Sequence, residues 1–195
     1  MSNRAVLTIL ASGLAASVLL AAGCSPKAPE PTVNESMTQV MSTQAQTVWD
    51  ITSDAFNERG DGLVASKISP ADWARLAQAG LQLEQRAQVL ARAGRVVVAS
   101  SGETIMGQDA SGIRGKLGKD WNAASARQVQ RRIDADRALF NQRAWKMADT
   151  GATIARAARH RDVRTLYAVS STLDQVCDGC HEKFWGTDEP PPFPH

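Results

Sequence analysis

Four stretches of the chain repeat their apolar residues at alternating steps of three and four, the period of a helix that packs through one face. In the first, Met37, Met41, Val48, Ile51 and Ala55 share a stripe, with Gln44 taking the remaining step, which predicts a helix from Glu35 to about Asn57. Asn34 stands where it can cap that helix, and Arg59-Gly60-Asp61-Gly62 ends it. After a connection over 63–68, Ser69-Pro70-Ala71-Asp72 supplies a capping hydroxyl, a proline at the first helical position and an acid in the first turn. The second stripe follows as Trp73, Leu76, Gly80, Leu83, Ala87, Leu90, Gly94 and Val97. Its glycines are expected to admit a neighbouring helix closely, at a cost in helix stability of about 1 kcal/mol each relative to alanine.

Residues 100–118 hold five glycines and little apolar content beyond Ile105, Met106, Ile113 and Leu117, so they read as a long loop. The third stripe, Trp121, Val129, Ile133, Phe140, Ala144, Met147, Gly151, Ile154 and Ala158, predicts one long helix from about Asp120, with Gly151 as a bend. Arg159-His160-Arg161-Asp162 reads as a short turn whose aspartate caps the next helix. The fourth stripe is Leu166, Val169, Leu173, Val176, Cys180 and Phe184, ended by Gly186 and by the prolines 190–192 and 194. Four amphipathic helices of this kind predict an all-α protein, an antiparallel four-helix bundle in which a cofactor sits between facing helices.

The ends of the chain change this picture. Arg4, an apolar run over 5–20 and the small residues before Cys24 have the form of a secretory signal over 1–23. Because the small residues stop at a cysteine, the segment resembles a bacterial lipoprotein signal, which implies lipidation of Cys24 and export to the cell envelope on a membrane anchor. Residues 24–34, rich in proline, read as a flexible tether, which leaves 35–186 as the helical domain and 187–195 as a proline-rich tail. Scarce aromatics and abundant alanine favour packed helices over a β-sandwich. The formal net charge of +2, with both signs interleaved, gives no reason to expect nucleic acid as a partner. Arg131, Arg132, Arg143 and Lys146 alternate with Asp134, Asp136 and Asp149 and read as a solvated helix face.

The candidate chemistry lies on the fourth stripe. Cys177-Asp178-Gly179-Cys180-His181 is a Cys-x-x-Cys-His sequence, the spacing of a covalent haem attachment site. Two thiols add to the porphyrin vinyl groups as thioethers, and the imidazole of the next residue binds the iron as an axial ligand. Competing readings are a redox dithiol, half of a zinc site, a structural disulfide and chance. A redox dithiol wants a helix opening at its first cysteine, whereas a helical pattern here runs through both. For zinc, the chain has only Cys24, His160 and His195 to add. One haem c, covalently bound through Cys177 and Cys180 with His181 on the iron, is the favoured cofactor.

The motif's placement near the end of the last helix, the following Lys183-Phe184-Trp185 and the methionines early in the first helix resemble the class II c-type cytochromes, meaning cytochrome c-prime and its low-spin relatives. The resemblance covers about Glu35 to Trp185. In an up-down-up-down bundle the end of the fourth helix lies level with the start of the first, which makes Met37 and then Met41 the candidates for a sixth ligand. Met37 is preferred because it lies nearer the helix start and its spacing to Trp49 resembles that of related lipoprotein cytochromes. Met106, Met147, His160 and His195 are weaker candidates. Methionines at helical spacing also serve as core filler, and that leaves the iron five-coordinate. The expected function is therefore a single-electron carrier between exported redox partner proteins. The alternative is a haem protein binding nitric oxide or carbon monoxide for storage, detoxification or sensing. A structural lipoprotein without cofactor is a third reading. No nucleophile or acid–base pair stands out, so an enzyme is not expected, and a second copy of the chain is a candidate partner.

Overall fold

The computed structural model describes residues 30–103, 105 and 124–186. Among these, the regular structure is helical, and Phe56 and Leu63 alone form an isolated antiparallel bridge. Helix α1 (Val33–Ser36) runs through a π-helical turn (Met37–Met41) into α2 (Ser42–Ala55). It begins two residues before the expected Glu35, because Thr32 rather than Asn34 caps it. The Thr32 hydroxyl accepts from the Glu35 N–H at 3.1 Å, and the Glu35 carboxylate accepts from the Thr32 N–H at 2.7 Å. Asn34 instead donates its side-chain amide to Glu103 at 2.6 Å. The π turn widens the helix by one residue, so buried Ser36 is followed by buried Met41 five positions later. That shift carries Ala45 into the inner position expected of Gln44; Ala45 is 3% exposed.

Helix α3 (Pro70–Arg92) starts where expected, with the Ser69 hydroxyl accepting from the Asp72 N–H at 3.1 Å. It stops before Gly94 and Val97, and the chain continues outside regular structure, with bends at residues 94–95 and 98–99. Val96 and Val98 are each 3% exposed while Val97 is 38% exposed, an alternation of period two where the sequence pattern implied a helical step. The carbonyls of Val97 and Val98 accept from the N–H groups of Val33 and Asn34, both at 2.9 Å, which ties the start of α1 to this segment.

The long third helix is two helices, α4 (Ala126–Ala135) and α5 (Arg137–His160). Asp136 breaks them apart. Its backbone leaves helical geometry (φ −138°, ψ 62°) and its carboxylate accepts from the Leu139 N–H at 3.1 Å, capping α5. Gly151 sits inside α5 as the point where α3 and α5 touch. A Cβ on Gly80 would lie 2.6 Å from the Gly151 carbonyl oxygen, and a Cβ on Gly151 would lie 2.6 Å from that of Gly80. The backbones of α3 and α5 are therefore in direct contact.

Arg161 takes the left-handed conformation (φ 52°) that ends α5, and Asp162 caps α6 (Val163–Ser170) as expected, accepting from Arg164 and Thr165 at 3.1 Å each. The expected fourth helix is interrupted at Ser171-Thr172 before α7 (Leu173–Phe184). Neither glycine nor proline is needed there. The Ser171 and Thr172 hydroxyls donate to the carbonyls of Tyr167 and Val169, at 2.6 and 3.1 Å, adding to the backbone bonds those carbonyls accept as the helix ends. Around the α3–α5 pair, α2 packs on α3, α6 and α7 pack on α5, and α4 packs on α7. No described helix is long and apolar enough to cross a membrane. The expected signal segment, Cys24, the tether up to residue 29, Met106, Trp121 and the tail with His195 lie outside the described residues.

Candidate functional site

Helical spacing sets Cys177, Cys180 and His181 on neighbouring positions of one side of α7, three and four residues apart. All three are half-buried. The end of α7 that carries them is held from two directions. Arg132 of α4 donates to the carbonyls of Phe184 and Gly186, and the Ala124 N–H donates to the Trp185 carbonyl at 2.8 Å. Arg132 thus leaves the solvated face on which the sequence pattern put it and serves as a cap for α7. Phe184, 2% exposed, packs edge-to-face on Phe140 with ring centres 5.6 Å apart, and the His181 ring meets Trp185 in the same geometry at 4.9 Å. The imidazole is therefore oriented by a neighbour one turn along its own helix.

Two cavities of about 180 and 190 Å³ flank this segment and share a wall of Met37, Ser42, Phe140, Cys180 and His181. The first reaches under the chain after α3, to Val98, Val129 and Ile133. The second continues along α2 and α5 to Met41, Trp49, Arg143, Met147 and Cys177. The structure thus brings together the residues singled out from sequence: Cys177, Cys180, His181, Met37 and Met41 line the second cavity, and Met37, Cys180 and His181 also line the first. Met41 is 6% exposed and Met147 8%, so both are core residues that touch only the second cavity. His160 is exposed at the end of α5 and lines neither.

Electrostatically the site is dry. Burial pushes both thiols up to about 11, reinforced at Cys177 by Asp174 and Asp178 and opposed at Cys180 by the Arg143 guanidinium. Burial also holds the His181 imidazolium below its ordinary pKa, against the pull of Asp178. Both cysteines are free thiols, and His181, on the wall of both cavities, is held toward the neutral form that can bind a metal. Among the described residues no group of three or more His, Cys, Asp or Glu side chains comes together, as a zinc site would need.

Three site residues escaped the sequence reading. Trp49 lies on the second cavity with its indole Nε1 buried and without a hydrogen-bond partner. Arg143 reaches the same cavity, its Nη1 only 3.2 Å from where a Cβ on Gly179 would stand. Gly179 is thereby the position between the cysteines that leaves room for the guanidinium. Arg143 follows Phe140 by three residues on α5, a weak signal that becomes meaningful only when α7 is laid against it. Comparison of the chain with protein-family models, curated proteins and solved structures gives no match.

Proposed function

We propose that this chain is a monohaem c-type cytochrome of the class II kind, an antiparallel four-helix bundle that carries single electrons between redox partner proteins in the bacterial cell envelope. Its four rods are α1–α2, α3, α4–α5 and α6–α7. The observation that carries this reading is the convergence of Cys177, Cys180 and His181 on one cleft whose wall from the first helix bears Met37. A covalent haem needs two thiols and an imidazole reaching the same space, and here they reach it from neighbouring positions of one helix. The donor set also fits: free thiols for thioether bonds and a half-buried, neutral imidazole for the iron.

Haem bound at such a site supplies a ferric–ferrous couple that takes up and gives back one electron at a time. The chain's own residues bind and shield it. Trp185 orients His181, Arg132 fixes the helix end, and the apolar side chains of Phe140, Val129 and Ile133 keep water from the cleft. Met37 is the preferred sixth ligand because it borders both cavities beside His181, whereas Met41 borders one and is packed into the core. The first cavity also favours a second reading, a five-coordinate haem protein for nitric oxide or carbon monoxide, since its lining can house a small apolar gas.

Haem staining after denaturing electrophoresis, followed by absorption spectra, tests these statements. A stained band is expected, because thioether-linked haem survives denaturation; an unstained band would return Cys177 and Cys180 to a dithiol or disulfide role. A low-spin ferric spectrum is expected from methionine ligation. A high-spin spectrum with rapid carbon monoxide binding after reduction would instead select the gas-binding reading.

A further inference from the structure

The second cavity is apolar over most of its wall and carries two polar groups that the ligation of iron does not use. There the Trp49 indole N–H is buried and has no partner, an arrangement that costs roughly 1–3 kcal/mol unless something accepts from it. Arg143, an exposed residue, lines the same cavity with neither an ion pair nor a hydrogen bond among the described residues, its guanidinium lying over Gly179. Of the other polar side chains on this cavity, Ser42 lies on the wall shared with the first cavity and Gln46 already donates to Asp50 at 2.6 Å. A buried lone donor and a cation with no ion pair, lining one cavity, suit an anion that accepts hydrogen bonds. A carboxylate is the smallest common group that meets both demands.

We infer that Trp49 and Arg143 form a carboxylate-binding corner of the cleft, and that the carboxylate it takes is a propionate of the porphyrin attached at Cys177 and Cys180. The occupant follows from placement. Cys177, Cys180 and His181 line the same cavity, so a porphyrin held by them would lie against it, and its propionates are the carboxylates it would bring there. Arg143 comes from α5, Trp49 from α2 and the cysteines from α7, so the carboxylate ties three helices together through the cofactor. Gly179 leaves the guanidinium undisturbed, since a Cβ there would stand 3.2 Å from Arg143 Nη1 and make it shift slightly. This inference rests on the haem reading above and adds the residues that receive the haem's acidic edge.

Full-length protein produced with haem attachment, and its Trp49→Phe and Arg143→Gln variants, test the corner. Haem staining is read first in the unmodified protein; a negative stain removes the underlying cytochrome reading and is distinct from failure of the corner. In stained protein, the propionate-bending band of the resonance Raman spectrum is expected to move to lower frequency in each variant, as a carboxylate losing a hydrogen bond does. The reduction potential is expected to fall in Arg143→Gln, because a nearby cation favours the ferrous iron. A conservative Arg143→Lys variant should restore most of the potential but not the full Raman band, since an ammonium keeps the charge and loses the planar fork. Unchanged propionate bands in both Trp49→Phe and Arg143→Gln, with haem attached and the fold intact by circular dichroism, would overturn the inference.

Discussion

The two thiols of the motif are the residues whose chemistry the fold alters most. Burial raises both to about 11, so the folded, haem-free chain holds them protonated and poorly nucleophilic. The unfolded chain lets them ionise at their ordinary value near 9.0. The native state therefore binds more protons between those values. Stability is fully present below about pH 9 and declines as the pH rises toward 11. Haem-free protein should accordingly alkylate with iodoacetamide at pH 8 roughly 100-fold more slowly than the same chain in denaturant, from the thiolate fraction alone. Equal rates in the two states would show that the cysteines are not buried as described. The proposed ligands make a second comparison at this scale. His181→Ala should lose the native spectrum while haem stays attached, and Met37→Ala should change the spin state where Met41→Ala does not. The reverse pattern in the two methionine variants would make Met41 the ligand.

At the scale of elements, the contact between α3 and α5 is the most constrained part of the molecule. Cβ atoms added at Gly80 or Gly151 would lie 2.5 Å from backbone nitrogens of the facing helix, and backbone cannot swing aside as a side chain can. Alanine at either position gains about 1 kcal/mol of helix propensity. It also forces the helices apart at an overpacking cost of about 1–3 kcal/mol or more. A net loss of about 1–2 kcal/mol is expected in urea unfolding of Gly80→Ala and of Gly151→Ala. Gly94→Ala, where no atom lies within 4 Å, should stay within about 0.5 kcal/mol of the parent. The sequence pattern identified Gly80 as a point of close approach but put Gly94 in the same role and made Gly151 a bend, because periodicity reports a face and not the helix opposite. Caps written in adjacent residues, Ser69-Pro70 and Asp162, were legible for the same reason that the breaks at Asp136 and Ser171-Thr172 were not. The former precede an apolar run, whereas the latter interrupt one without disturbing its period. The π turn was hidden too, since its extra residue lies between Ser36 and Met41 and shows only as an inner alanine one place beyond Gln44.

For the molecule as a whole, the motif and its ligand candidates were readable from sequence because the chemistry requires fixed local spacing. The proposed corner of Trp49, Arg143 and Gly179 was not, since it draws on residues of three helices. Attachment to the envelope belongs to this scale as well. No described helix is long and apolar enough to cross a membrane; in the proposed cytochrome, acyl chains on Cys24 would be the anchor once the signal is cleaved. Each buried methylene contributes about 0.8 kcal/mol, one chain holds only marginally, and a lipoprotein cysteine carries several. Cys24→Ser removes the acceptor and leaves the helical domain, from Thr32 onward, unaltered. The variant, exported through a replacement signal, should therefore appear in the soluble fraction with the same haem stain and spectrum, while the parent stays with the membranes and is released by detergent. A variant that remains on the membrane would place the attachment on a protein surface of the helical domain instead of on Cys24.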